Sequence, residues 1–216
     1  MNEVQSVGVI GLGSMGMGAA KSCVRAGLDV YGFDLNPQAL ETLGEYGAKV
    51  VSTSAVEFAD KLDSVLILVV NAAQVNTVLF KTGLAAALRP NTPIMVSATI
   101  SAEDAKQIEA QLSEYGLVML DAPVSGGAVK AEAGEMTIMA SGAITTFEAL
   151  APVLNATAAK VYNIGEVIGL GATVKIIHQL LAGVHIAAGA EAMALAARAN
   201  IPLDLMYDVV TNAAGN

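Results

Sequence analysis

Lys175 stands at the head of the most apolar stretch of the chain, VKIIHQLLAGVHIAAGAEA from Val174 to Ala192, with His178 and Gln179 following three and four residues on. On a helix these three side chains fall within about 100° of arc, a polar stripe on an apolar rod. His185 continues the stripe two turns beyond His178. A cation in the first turn of a helix opposes the macrodipole, so a lysine placed there is better off neutral. A free lysine titrates at about 10.4, and desolvation carries it toward the ~7–8 useful for moving a proton. Lys175 is therefore a candidate general acid/base. The competing reading is a lysine that snorkels at a helix start, with the histidines as satisfied core groups; for His185 the core reading is preferred.

A second constellation lies at the other end. Gly11-Leu-Gly13-Ser-Met-Gly16 follows the first apolar run directly and opens a helical stretch reaching about Ala26. In such a loop the first glycine makes a tight turn and the second lets the backbone approach a pyrophosphate. The third packs helix against strand, and the helix amides face the phosphates. Asp34 ends the second apolar run, where a carboxylate accepts ribose hydroxyls and repels a 2′-phosphate. This predicts NAD rather than NADP, with Gly11, Leu12, Gly13, Ser14, Met15, Gly16, Asp34 and Leu35 around it. The alternative is a glycine-rich turn beside an N-capping aspartate. A Tyr with a Lys four residues on, the short-chain dehydrogenase pair, is absent: Leu35, Val50, Met119, Glu166 and Thr211 follow the five tyrosines at that spacing. With two histidines and one cysteine, Cys23, a Cys/His zinc site or a disulfide framework is not expected. Cys23 reads as a small buried hydrophobe.

These residues need a scaffold. VGVI (7–10), VYGF (30–33), VLILVV (65–70), PIMVS (93–97) and LVMLDAP (117–123) are apolar throughout rather than alternating, as parallel strands covered on both faces are. Helix starts lie between them. Asn36-Pro37 reads as an N-cap with proline in the first turn, Ser54 to Glu57 as a capping box, and Ser101 to Asp104 as a cap followed by acids. Strand and helix in alternation predict an α/β fold, a doubly wound Rossmann sheet, over residues 1–165. From 166 to 216 the character changes to a long helix, and Pro202 begins another. A helix of about 28 residues is ~42 Å long; apolar on most sides, it requires cover from more than one neighbour. A second chain or further chain of its own would supply that cover.

Of the 216 residues 54% are hydrophobic and 14% charged, and 11 Lys and Arg face 20 Asp and Glu for a formal charge of −9. An acidic chain without a basic block is not built for nucleic acid. The run after Val7 is preceded by Glu3, where a leader needs positive charge, and is filled with glycines; the run from Ser64 to Phe80 is short for a span and holds Asn71, Gln74 and Asn76. A soluble, cytoplasmic protein that does not bind a membrane is expected.

Four stretches, GLGSMG, SATIS (97–101), DAPVSGG (121–127) and GLGATVKIIHQ (169–179), together resemble the β-hydroxyacid dehydrogenase family, which includes 3-hydroxyisobutyrate dehydrogenase and tartronate semialdehyde reductase. The resemblance implies an N-terminal Rossmann domain, a long interdomain helix and the start of an all-α C-terminal domain that continues beyond Asn216. It implies that Asn71 and Thr99 lie against the cofactor, and that Ser125, Gly126 and Gly127 bind a substrate carboxylate. Lys175 takes the place of the family's catalytic lysine and Gln179 that of the amide one turn on. His178 stands where most relatives carry Asn, which implies an altered pocket, with a hydrogen bond to a hydroxyl that a branched four-carbon acid lacks. The implied activity is NAD-dependent oxidation of a small hydroxy acid by a homo-oligomer assembled through its helical domain. A non-catalytic NAD-binding fragment and a helix-exchange partner built on 170–199 are the alternatives.

Overall fold

The computed structural model describes residues 5–213. Nine strands form one sheet: Ser6–Ile10 (β1), Asp29–Phe33 (β2), Val50–Ser52 (β3), Ser64–Ile67 (β4), Pro93–Val96 (β5), Val118–Asp121 (β6), Val124–Ser125 (β7), Met136–Ser141 (β8) and Ala158–Gly165 (β9). Their order is β3-β2-β1-β4-β5-β6-β8-β7, with β9 also paired to β8. The pairings from β3 through β6 are all parallel. This is the Rossmann arrangement expected from the sequence. It places the reversal of strand order between β1 and β4, whose carboxyl ends border the ligand crevice of such sheets.

The helices are Ser14–Arg25 (α1), Pro37–Tyr46 (α2), Ala72–Asn76 (α3), Leu84–Ala87 (α4), Ala102–Glu114 (α5), Gly127–Ala133 (α6), Ile144–Ala149 (α7), Ala151–Thr157 (α8), Leu170–Arg198 (α9) and Leu203–Asn212 (α10). The unbroken apolarity of the strands has its expected cause. Along β4, Ile67 joins a core with Val96 and with Ile108 and Leu112 of α5, while Leu66 joins a second core with Ala19, Ala20 and Cys23 of α1. Both faces of the sheet are covered. Cys23 is fully buried, and burial pushes its thiol up to about 12.

Two of the three expected helix starts form as read. Asn36 accepts from the Gln38 amide ahead of α2, and Ser101 accepts from the Asp104 amide ahead of α5. The third does not. Val56–Lys61 is a 3₁₀ helix whose preceding residue, Ala55, makes no side-chain cap, and the Ser54 amide turns back to Ser52 Oγ at 3.1 Å. A tight i to i+3 turn presents its amides at different angles from an α turn, so the reciprocal box has no frame. The run 65–70 also ends early, since β4 stops at Ile67. Beyond the expected strands, β3, β7, β8 and β9 extend the sheet at its edges.

The chain divides into two compact units, Met1–Lys175 and Ile176–Asn216. The first holds the sheet and both cores. The second comprises the remainder of α9 and α10, with Ile177, Leu180, Leu181, Ile186, Leu195, Leu205 and Tyr207 exposed. By length and composition α9 is a helix that could cross a membrane. His185, expected in a core, is exposed on α9, because the turns around it lack neighbours among the described residues.

Candidate active site

The loop between β1 and α1 is held from two sides. The Gly11 amide donates to the Phe33 carbonyl at 2.9 Å, and the Leu12 amide donates to Asp34 Oδ2 at 2.6 Å. Asp34 Oδ1 accepts from the Asn36 amide at 2.8 Å. The carboxylate at the end of β2 thus fastens the glycine loop as well as the turn after itself, a use that the spacing of the residues does not disclose. Two carboxylate oxygens with one amide each retain lone pairs for further donors. Leu35 beside it is 85% exposed, an apolar side chain standing at the crevice rather than in a core.

Within the loop the glycines divide by their surroundings. A methyl group on Gly16 would lie 1.7 Å from the Gly11 carbonyl oxygen, and one on Gly11 would lie 2.7 Å from the Leu68 carbonyl oxygen. Around Gly13 there is nothing within 4 Å. That open space lies at the N-cap of α1, which carries no side-chain cap, so the first-turn amides of Ser14, Met15 and Gly16 are available to an anion. Close packing at Gly11 and Gly16 with space at Gly13 is what a bound pyrophosphate requires. The residues present fit NAD on this ground, and no cation follows Asp34 to receive a 2′-phosphate: Leu35 and Asn36 are uncharged.

On the other side of the crevice, Asn71 is the N-cap of α3; its Oδ1 accepts from the Gln74 amide, and Gln74 Oε1 accepts from the Val70 amide at 2.8 Å. This reciprocal box shapes the turn and leaves the Asn71 amide nitrogen for a ligand. It also leaves Val70 76% exposed, an apolar residue at the crevice that sequence reasoning missed because it continues a strand-like run. Thr99 is exposed between buried Ala98 and Ile100, just past β5. Past β6, Ser125 is half-buried in β7, while Gly126 and Gly127 are exposed at the start of α6. Gly127 has φ +72° and nothing within 4 Å of a side-chain position. The sheet thus brings Gly11–Gly16, Asp34, Asn71, Thr99 and Ser125–Gly127 to the carboxyl ends of successive strands.

Lys175 lies in the same compact unit, with 6% of its surface exposed. Burial holds its amine below the ordinary value of 10.5. His178 and Gln179 belong to the second unit and are exposed; His178 Nδ1 lies 3.2 Å from Gln179 Oε1. One further residue went unread. Asp121, fully buried at the end of β6, accepts at Oδ2 from the amides of Gly169 (3.0 Å) and Ala172 (2.9 Å) and from Ser141 Oγ (3.2 Å).

Residues 6–165 match the family described as the NAD binding domain of 6-phosphogluconate dehydrogenase, and residues 169–216 match the one described as NAD-binding of NADP-dependent 3-hydroxyisobutyrate dehydrogenase. The L-threonate dehydrogenase of Haemophilus influenzae is 68% identical over all 216 residues, which cover 72% of that protein. The crystal structure of 3-hydroxyisobutyrate dehydrogenase from Salmonella typhimurium superimposes with a TM-score of 0.92 at 62% identity, over 98% of this chain and 74% of that one. The Mycobacterium tuberculosis 3-hydroxyisobutyrate dehydrogenase solved with L-serine superimposes with a TM-score of 0.87 at 33% identity, over 99% and 72%. With its Rossmann sheet, open glycine loop and buried lysine, the chain belongs to the β-hydroxyacid dehydrogenase family of NAD-dependent oxidoreductases, the 3-hydroxyisobutyrate dehydrogenase-like enzymes.

Proposed function

We propose that this protein oxidises the C2 hydroxyl of L-threonate to the 2-oxo acid, with Lys175 as general acid/base. The observation that carries the chemistry is the burial of Lys175 at the head of α9, which lowers its affinity for a proton. Similarity to L-threonate dehydrogenases along the whole chain supports the substrate. The Ser125–Gly127 turn binds the substrate carboxylate through converging amides. Gly11 to Gly16, Asp34, Leu35, Asn71 and Thr99 hold the cofactor. Neutral Lys175 takes the hydroxyl proton at Nζ as the carbinol carbon is oxidised, and later releases it to solvent. When bound, NAD⁺ supplies the hydride acceptor. His178, whose Nδ1 lies 3.2 Å from Gln179 Oε1, receives a hydroxyl of the sugar acid.

Residues 1–165 form the cofactor domain, and 166–216 the interdomain helix with the beginning of a helical domain. The exposed apolar faces of α9 and α10 support assembly of a cytoplasmic homo-oligomer, with protein rather than lipid as their cover.

The test is NAD⁺ reduction by the full-length natural enzyme offered L-threonate, D-threonate, D-glycerate and 3-hydroxyisobutyrate. A preference for L-threonate is expected. The 62% identity to a protein named 3-hydroxyisobutyrate dehydrogenase favours that acid as the second reading, and equal or better turnover of it would replace the first. Lys175→Ala should lower kcat by about 10²–10⁴ with NAD affinity nearly unchanged. In the natural enzyme kcat for oxidation should rise with pH to a plateau, as the amine loses its proton, with a midpoint below 10.5. Near wild-type turnover by the alanine variant would remove Lys175 from the mechanism.

A further inference from the structure

We propose that Asp121 is a positioning residue for Lys175. Its carboxylate, with the Ser141 hydroxyl, clamps the first turn of α9 to the carboxyl end of the sheet and so sets where the lysine amine lies. This rests on the assignment of Lys175 as the proton-transfer group.

The first amides of a helix have no partners within it. At α9 three of these donors are met by groups far away in sequence. Asp121 Oδ2 accepts from Gly169 and Ala172, 48 and 51 residues on. Ser141 Oγ accepts from Gly171 at 3.0 Å and donates to the same Asp121 oxygen. Asp121 and Ser141 are themselves paired across β6 and β8, and both are fully buried. The sheet therefore grips the helix start through two rigidly held side chains.

Gly171 makes the fit close. A methyl group there would lie 2.5 Å from the Met139 carbonyl oxygen and 2.8 Å from that of Asp121. Lys175 follows Ala172 by three residues, on the same face of α9 and nearly one turn on. A helix held at three amides cannot slide or rotate without breaking them, so the clamp fixes the origin of the lysine side chain.

The choice of carboxylate needs a reason beyond stability. Burial raises the pKa of Asp121, against the lowering by the Ala172 and Gly169 amides and the Ser141 hydroxyl. Its Oδ1 has no hydrogen-bond partner among the described residues. A serine or threonine would cap the helix locally at smaller desolvation cost. A carboxylate oxygen, with more than one lone pair, holds two amides and a hydroxyl at one atom, at 2.9–3.2 Å. Placement within a fraction of an ångström, rather than helix stability alone, is what this arrangement secures.

The test is a double-mutant cycle in the full-length natural enzyme. Asp121→Ala should lower kcat by about 10–100-fold while leaving NAD affinity and the substrate KM within about threefold. Asp121→Asn keeps one acceptor oxygen for the amides and should recover most of that loss. In Lys175→Ala enzyme, with turnover restored by free methylamine, Asp121→Ala should change the rescued rate less than about threefold, because no tethered amine remains to be placed. Should Asp121→Ala fail to fold, Ser141→Ala, which removes the Gly171 contact and the hydroxyl donated to Asp121 but leaves the carboxylate on Gly169 and Ala172, replaces it in the same cycle. An equal loss in both backgrounds, or a loss confined to KM, would overturn the positioning role while leaving the lysine assignment intact. Full turnover by Lys175→Ala alone would overturn the assignment first, and the proposal with it.

Discussion

Two glycine turns face the crevice, and they are built differently. The Gly11–Gly16 loop is braced at both ends: the Gly11 and Leu12 amides are tied to Phe33 and Asp34, and methyl groups at Gly11 or Gly16 would overlap backbone carbonyls, while the space beside Gly13 stays open. The Ser125–Gly127 turn is open: Gly126 and Gly127 are exposed, and beside Gly127 there is free space. The first turn is shaped before any ligand arrives, which suits a cofactor common to a whole family. The second lies between β7 and α6 with its two glycines exposed, which suits the carboxylate-binding role proposed for it.

That contrast ranks the effects of substitution. Gly16→Ala should do the most damage, since its methyl would press on Gly11 backbone 1.7 Å away. Displacing the loop should cost at least about 3 kcal/mol, a hundredfold or more in NADH affinity by fluorescence titration, or prevent folding altogether. An intact affinity would show that the loop is pliable and erase the contrast. Asp34→Ala removes both the anchor of Leu12 and the charge that opposes a 2′-phosphate. About 1.5–3 kcal/mol is typical for a hydrogen bond to a charged group, so NADH affinity should fall roughly 10–100-fold. NADPH affinity should change little, and the preference between the two should collapse. A fall in both by the same factor would mean that Asp34 serves the loop alone. Gly127→Ala should be mildest. Its φ of +72° strains an L-residue by about 1–2 kcal/mol, but the side chain enters open space. Substrate KM should rise several-fold with cofactor binding untouched; a loss of NADH affinity would mean that the two turns are coupled more tightly than their surroundings suggest.

The same contrast bears on what could be read from the chain itself. Local rules served where partners are near in sequence. Asn36 and Ser101 cap their helices by accepting from amides two and three residues ahead, and the five central strands announce themselves by unbroken apolarity. Ser54 has the same local pattern as a cap, yet its segment winds as a 3₁₀ helix because tertiary packing outweighs a capping preference. β7, only two residues long, and β8, which mixes threonine and serine with its apolar residues, gave no comparable run. Asp121 lay beyond local reasoning entirely. It caps a helix that begins some fifty residues later, and nothing in DAPVSGG distinguishes a long-range cap from a turn residue. His185 failed for the opposite reason: helical periodicity places it on a stripe but does not say what covers that stripe.

Gly18 joins these two turns. A methyl group on it would lie 2.5 Å from the Glu132 amide nitrogen, so α1 and α6 meet there almost backbone to backbone. Lys21 reaches Glu132 across the same seam at 3.0 Å. One helix starts at the Gly11–Gly16 loop and the other at the Ser125–Gly127 turn, so the seam makes the spacing between these two turns a fixed dimension of the scaffold. A strain introduced at that seam would therefore be felt at both helix starts together.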